Sequence, residues 1–318
     1  MNLKIVALAG GVGGAKLAHG LAKILSPENL TIIVNTGDDF EHHGLYISPD
    51  LDTVCYTLAG LANPVTGWGR VNESWNATEN IAKLGGQTWF QLGDRDLATH
   101  LMRTSRLKKG DSLSAITHDF CHAWGIEHRI IPMTDDYMPT IVDTVEMGEL
   151  PFQEYFVHQR CKPTVKGFRF EGVESVRPAE GVEKAINDAD AVVICPSNPW
   201  VSIAPILAAT KLNSTREAGF TSKKNPIVAL SPIIGGEAVK GPAAKMYREL
   251  GIEPSALAVA KGYEGFVDGF IFDKVDAVLE PEIQNLGMKT MIIDSYMKDI
   301  NGRERVAKDV LKFIHTLL

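Results

Sequence analysis

The sequence predicts an α/β fold: a doubly wound, mostly parallel Rossmann-like sheet with a mixed, largely helical inserted subdomain. Three observations predict it. Strand and helix signals alternate at both ends of the chain. The strands there are short, continuous apolar runs such as LTIIV, the pattern of buried strands. Glycine-rich or polar loops follow several of them, and open α/β sheets bind ligands beyond the carboxyl ends of their strands.

The elements follow in order. KIVALA (4–9) reads as a strand, GGVGG (10–14) as a tight loop and AKLAHGLAKIL (15–25) as a helix. LTIIVNT (30–36) is the second strand. After an acidic loop, DLDTVCYTLAGL (50–61) reads as a helix with Asp50 as its N-cap. Residues 78–84, 95–106 and 112–124 carry helical periodicity, and 128–133, 139–146 and 165–172 read as strands of an antiparallel patch. The core rhythm then resumes, with helices at 180–189, 201–212, 243–250 and 303–318. Strands fall at 190–196, 226–233, 269–273 and 288–294. This predicts a nucleotide- or diphosphate-binding core from residues 1–61 and 176–318, interrupted by a subdomain over 62–175 that covers a second substrate site.

Composition narrows the function. The 318 residues are 45% hydrophobic and 22% charged, ample for a sizeable core. The formal net charge of −7, with no block of like charges, excludes a non-specific nucleic-acid surface, which needs Lys and Arg against phosphates. Cys55, Cys121, Cys161 and Cys195 are dispersed among apolar neighbours and form no CxxC, so they read as core thiols. The N-terminal apolar run is too short for a signal peptide, and no run approaches the ~20 apolar residues of a membrane span. A cytoplasmic protein without a membrane partner is expected.

Five stretches carry chemistry. ALAGGVGGAKLAHGL places Gly10, Gly11, Gly13 and Gly14 where a strand meets a helix, with Lys16 in the first turn. Such a junction offers free N–H groups and positive helix dipole to a phosphate or diphosphate. NTGDDFEHHGLYISPDLDTV (35–54) packs Asp38, Asp39, Glu41, Asp50 and Asp52 just past the second strand. Carboxylates beside a phosphate would repel it unless a divalent cation such as Mg²⁺ intervenes. The same acids also suit a general base. Glu41, His42 and His43 read as the outer rim. LGDRDLATH (92–100) offers Asp94 as a helix cap and Arg95 as an anion partner, or both as a self-satisfied surface cluster. Ser197 and Asn198 follow a buried strand between two prolines, suited to a diphosphate, a nucleobase edge or a plain N-cap. LSPIIGGEAVKGPA (230–243) repeats the first loop's logic with Ser231, Gly235 and Lys240. Together these describe a Mg²⁺-assisted enzyme acting on a nucleotide or other diphosphate, with a hydroxyl acceptor.

GGVGGAK, NTGDDFEHHGLYISPDLDTV, FQLGDRDLATHL, PMTDD, PSNPWVSIAPIL and SPIIGGEAVKGPA, in that order, resemble the 2-phospho-L-lactate transferase family, which makes the deazaflavin coenzyme F420. The resemblance implies transfer of a phospholactyl or phosphoenolpyruvyl group from a guanosine diphosphate-linked donor to the ribityl hydroxyl of the deazaflavin Fo, with release of GMP and dependence on Mg²⁺. It makes Asp50 and Asp52 the catalytic expectation and Asp39 and Asp50 the metal partners. Asp52 falls on a deazaflavin contact, and so does Gln91, where some members carry Lys. Family habit implies a homodimer. The other class to weigh is a nucleotide-sugar-binding regulatory protein of the same superfamily, without turnover. An Asp52→Asn protein is expected to fold and to lose most activity.

Overall fold

The computed structural model describes residues 3–212 and 225–318. Seven parallel strands form one sheet: β1 (Ile5–Ala9), β2 (Leu30–Val34), β5 (Arg129–Pro132), β9 (Ala191–Ile194), β10 (Ile227–Leu230), β13 (Gly269–Asp273) and β14 (Lys289–Ile293). Their spatial order is β14-β13-β10-β9-β1-β2-β5, with β2 on one side of β1 and β9 on the other. The winding therefore reverses at β1, which makes the β1/β9 boundary the switch point where such sheets open a crevice. Helices cover both faces, and each face buries its own apolar cluster. On one face α1 (Gly11–Ile24) packs against α2 (Pro49–Leu58) and the C-terminal helix α11 (Ile300–His315).

Three elements differ from the sequence reading. The strand at 129–132 is not part of an antiparallel patch. It pairs parallel with β2 and forms the sheet's edge, so the interrupting segment contributes a strand to the core. The antiparallel patch is β6 (Thr140–Thr144) between β7 (Gly148–Pro151) and β8 (Val165–Phe170). The glycine run is not a loop, since α1 begins at Gly11. Glycine's poor helix propensity hides this in the sequence. Only Gly11 has positive φ, at +60°. Gly13 and Gly14 are set by close packing: a Cβ on Gly13 would overlap the Pro196 carbonyl oxygen, and one on Gly14 would overlap Ser197 Oγ. Finally, Ser48 rather than Asp50 is the N-cap of α2, and Pro49 occupies the first turn. Asp50 and Asp52 sit one step further in and are free to point elsewhere.

Among the described residues the remaining α-helices are α3 (Asn76–Lys83), α4 (Asp94–Leu107), α5 (Leu113–Ala123), α6 (Val182–Asp188), α7 (Ala204–Thr210), α8 (Ala243–Glu249), α9 (Ala256–Lys261) and α10 (Glu280–Gln284). One hairpin, β3 (Phe40–His42) and β4 (Leu45–Ile47), lies inside the acidic stretch, and another, β11 (Ile233–Ile234) and β12 (Glu237–Ala238), follows β10. No helix among the described residues is long and apolar enough to cross a membrane.

Candidate functional site

A cavity of about 650 Å³ opens at the carboxyl edge of the sheet. Residues that follow five strands line it: Gly10–Gly13 after β1, Asp38 after β2, Pro196–Asn198 after β9, Ser231 after β10 and Ser295–Met297 after β14.

One end is cationic and rich in backbone donors. The α1 N-terminus supplies Gly11 and Gly13, and Lys16 and Lys240 also line this end. Lys16 Nζ donates to the Met297 carbonyl at 3.0 Å, and Lys240 Nζ donates to the Thr66 carbonyl. Burial, then the Arg303 and Lys240 charges, pulls the Lys16 pKa down. An anion there would relieve that strain. Ser197 Oγ accepts from the Gly10 N–H at 3.2 Å. Asn198 lines the cavity and also caps the turn that follows, its Oδ1 accepting from the Trp200 N–H at 3.0 Å. Ser231 lines it too, with its hydroxyl donating to the Ile233 carbonyl at 2.9 Å.

The middle holds acids. Asp50 accepts from Asn35 Nδ2 at 2.9 Å and Ser202 Oγ at 3.4 Å, and the Gly11 N–H lowers its pKa by a further bond. A Cβ on Gly10 would come within 2.6 Å of Asp50 Oδ2, so this carboxylate lies directly on the glycine backbone. The same Asn35 amide reaches Asp38 Oδ1 at 3.3 Å, and Gln153 Nε2 donates to Asp38 Oδ2 at 3.0 Å.

The far end is an aromatic chamber. Trp89, Phe90, Phe152 and Phe156 line it. Phe152 and Phe156 stack with ring centroids 5.3 Å apart. Its polar wall is Asp52 and Tyr56 of α2 with Asp96 and His100 of α4, and Gln91 sits at its exposed rim. Arg103, also on α4 and fully buried, clamps Asp52 through both guanidinium nitrogens; Nη1 lies 3.0 Å from Oδ2. Burial raises the Asp52 pKa, with Arg103 and His100 opposing.

The sequence profile of the 2-phospho-L-lactate transferase CofD family matches residues 5–311. The chain belongs to this family. It is 41% identical to a phosphoenolpyruvate transferase of Streptomyces griseus over 316 residues, covering 98% of each chain. It is 38% identical to a 2-phospho-L-lactate transferase of Methanopyrus kandleri, covering all of both. A solved UPF0052-family protein from Bacillus halodurans shares the fold, with a TM-score of 0.62 at 14% identity over 98% of this chain and 99% of the other.

Of the residues expected from sequence, this CofD-family cavity gathers Gly10, Gly11, Gly13, Lys16, Asp50, Asp52, Gln91, Ser197, Asn198, Ser231 and Lys240. Five lie elsewhere. Gly14 packs beneath the loop against Ser197 and Ala9. Asp39 is buried behind the acid wall, where its Oδ2 accepts from Ser48 Oγ at 2.8 Å. Asp94 caps α3, accepting from the Asn76 and Ala77 N–H groups at 3.2 and 2.9 Å. Those bonds hold its pKa down to about 2. Arg95 is exposed, and Nη1 donates to the Val71 carbonyl at 3.4 Å. Gly235 donates its N–H to Asp276 at 3.0 Å, off the cavity. His42 is not a rim residue but is buried against Phe40 and Trp89, and burial depresses its pKa to about 4.

The family resemblance implies Mg²⁺, and the acids fit it. Asp38 and Asp50 both border the cavity and are buried. Burial raises the pKa of each, Asp50 to about 6, and the Asp50 charge raises Asp38 further. Two buried carboxylates beside an anion site are the donor set of a hard divalent cation. Asp38, not Asp39, borders the cavity beside Asp50.

The Gly13 contact gives a direct stability test. Gly13→Ala forces a methyl into the Pro196 carbonyl, a backbone atom that cannot rotate aside. The expected loss is about 3 kcal/mol, read by urea unfolding, with the midpoint falling and the slope unchanged.

Proposed function

We propose that this CofD-family chain moves a phospholactyl or phosphoenolpyruvyl group from a guanosine diphosphate-linked donor to the ribityl hydroxyl of the deazaflavin Fo, releasing GMP, in coenzyme F420 biosynthesis. One observation carries the reading: a single cavity joins a cationic, glycine-lined end to an aromatic, acid-walled end through the Asp38–Asp50 pair. The first end suits a nucleoside diphosphate and the second a flat tricyclic ring with a polyol tail. Relatives named phosphoenolpyruvate transferase and 2-phospho-L-lactate transferase support the reaction class.

In this reaction the ribityl oxygen attacks the phosphorus distal to guanosine. The new O–P bond forms, the bond from that phosphorus to the bridging oxygen breaks, and GMP leaves. The work is positioning and charge neutralisation. The α1 N-terminus and Lys16 hold the diphosphate, and the aromatic walls exclude water around the acceptor. Asp52, fixed by Arg103, accepts a hydrogen bond from the attacking hydroxyl. Asp38 and Asp50 would hold Mg²⁺, which supplies neutralisation of the charge that builds on the phosphates.

The test offers purified protein, Mg²⁺ and Fo with each donor in turn, and reads products by mass. Phosphorylated deazaflavin with equimolar GMP is expected from the lactyl or the enolpyruvyl donor. Absence of GMP with both sinks the proposal. Binding of a uridine-diphosphate sugar without binding of Fo would favour a regulatory nucleotide-sugar protein instead.

A further inference from the structure

The turn that follows α2, residues 62–70, runs along the cavity from its acid wall to its cationic end and back. It starts at Tyr56, whose carbonyl accepts from the Leu61 and Ala62 N–H groups at 2.8 and 3.0 Å. Thr66, Trp68 and Gly69 line the cavity. At Gly67 the chain touches the cationic end, where a Cβ would come within 3.0 Å of both Lys240 Nζ and Val12 Cγ1. The chain then returns, and Arg70 bridges back to Ala62. Asn63 braces the turn from inside. Its Oδ1 accepts from the Val65 N–H at 2.9 Å, its carbonyl from the Gly67 N–H at 2.8 Å, and its own N–H donates to the Gly69 carbonyl at 3.0 Å.

The turn carries one charged side chain, Arg70. The guanidinium carbon lies 5.4 Å from the centre of the Tyr56 ring, a side chain that itself lines the cavity. Arginine offers five N–H donors. Here Nη1 reaches the Arg95 carbonyl only at 3.5 Å, and Nε is buried without a partner. Arg103, the other guanidinium of this wall, is occupied by Asp52. Arg70 has no such carboxylate among the described residues. A half-buried guanidinium has lost part of its hydration, and an incoming anion would offset that loss.

We infer that Arg70 binds the carboxylate of the transferred group; this rests on the function proposed above. Phospholactyl and phosphoenolpyruvyl groups both carry a carboxylate on the carbon that bears the phosphate oxygen. With the diphosphate at Lys16 and the acceptor hydroxyl at Asp52, that carboxylate belongs between the cationic end and the acid wall, the interval that the turn spans. Asp50, Asp52 and Asp96 border this interval and would repel it, so a cation is needed there. The planar fork of arginine matches a carboxylate in two parallel hydrogen bonds. Such recognition reads the charge and accepts either three-carbon chain.

The test compares wild type, Arg70→Met and Arg70→Lys. Calorimetry without Fo measures the affinity for the lactyl donor, for the same donor with its carboxylate made a primary amide, and for GDP, which has no carboxylate. Arg70→Met is expected to weaken the natural donor about 10–100-fold and GDP no more than about twofold. Wild type is expected to disfavour the amide by a similar factor, and Arg70→Met to bind both donors within about threefold. Arg70→Lys is expected to recover part of the loss, as a charge without the fork. An equal preference for natural over amide donor in wild type and Arg70→Met overturns the inference, and so does a GDP loss as large as the donor loss. Should Arg70→Met not fold, a wild type that binds the amide within threefold of the natural donor overturns it. Those results with turnover intact leave the proposed function standing. A wild type that makes no product with either donor overturns that function instead.

Discussion

Asp50→Asn is expected to stabilise the metal-free protein at pH 7.5 while abolishing most turnover. Burial lifts the Asp50 pKa from 3.8 to about 6, and the bonds from Asn35, Gly11 and Ser202 only partly oppose it. A carboxyl whose pKa is raised on folding contributes most stability when protonated in both states. That contribution is lost as pH rises from the unfolded value through the folded one, here between about 4 and 6. By about pH 7 the ionised carboxylate costs about 3 kcal/mol, at 1.4 kcal/mol per unit. Asn removes the charge and keeps one acceptor oxygen for Asn35 and Ser202, while its amide nitrogen cannot accept from the Gly11 N–H, which offsets about 1 kcal/mol of the gain. If Asp38 and Asp50 hold Mg²⁺ as proposed, the cation is also a folding ligand, expected at ~100 Kd to add about 2.7 kcal/mol to the native chain. Calorimetric melts with EDTA and with Mg²⁺, at pH 5 and pH 7.5, check both. The native protein is expected to gain several degrees with Mg²⁺ at pH 7.5 and less at pH 5. Asp50→Asn is expected to start higher and gain little. A variant less stable than native in EDTA would show that Asp50 is not held at electrostatic cost. The kcat loss expected is about 10²–10³-fold.

The fold was legible because buried parallel strands announce themselves. IVALA, LTIIV, AVVI, IVAL and GFIFD are continuous apolar runs, and all five lie in the central sheet. RIIP was harder to place. Four residues do not show which sheet they join, and only the pairing of Ile32 with Ile130 makes it an edge of the core. The helix start at Gly11 was hidden because a run of glycines satisfies a close approach to Pro196 and Ser197, a tertiary contact that no local propensity reports.

The site was half legible. Strand ends followed by Gly, Ser or Lys are visible in one dimension, so most residues lining the glycine-rich end of the cavity were named from sequence. The aromatic end is built from elements distant in sequence. Phe152 and Gln153 come from the turn after β7, and Gln153 reaches Asp38 across 115 positions. Nothing local marks them. Asp96, His100 and Arg103 are different, because they recur at helical spacing within α4 and share its inward face. Reading that helix for a polar stripe, rather than for Asp94 and Arg95 at its start, would have found them. Asp94 instead caps α3, while Glu73, from before α3, caps α4 through the Arg95 and Asp96 N–H groups.

Arg103→Met is expected to be the most destabilising single change in the acceptor wall. Arg103 is 2% exposed, and its partner Asp52 is 5% exposed. Both charges were removed from water, so each is tolerable only beside the other. Deleting the guanidinium leaves Asp52 buried next to Asp39 and Asp96 without a cation, a cost of about 3–5 kcal/mol. Asp52→Asn is expected to destabilise as well, which revises the expectation that it folds intact: Arg103 would lose its direct partner and keep only the more distant pull of groups such as Asp39 and Asp96. The double change Arg103→Met with Asp52→Asn separates pair from scaffold. If the two residues stabilise chiefly each other, the double variant is expected to recover most of the loss, giving a coupling energy of about 2 kcal/mol or more in urea melts. Additive losses would mean that Arg103 serves the fold through contacts other than Asp52. Turnover is expected to respond differently. The double variant regains stability but not kcat, because no clamped carboxylate remains to orient the acceptor hydroxyl.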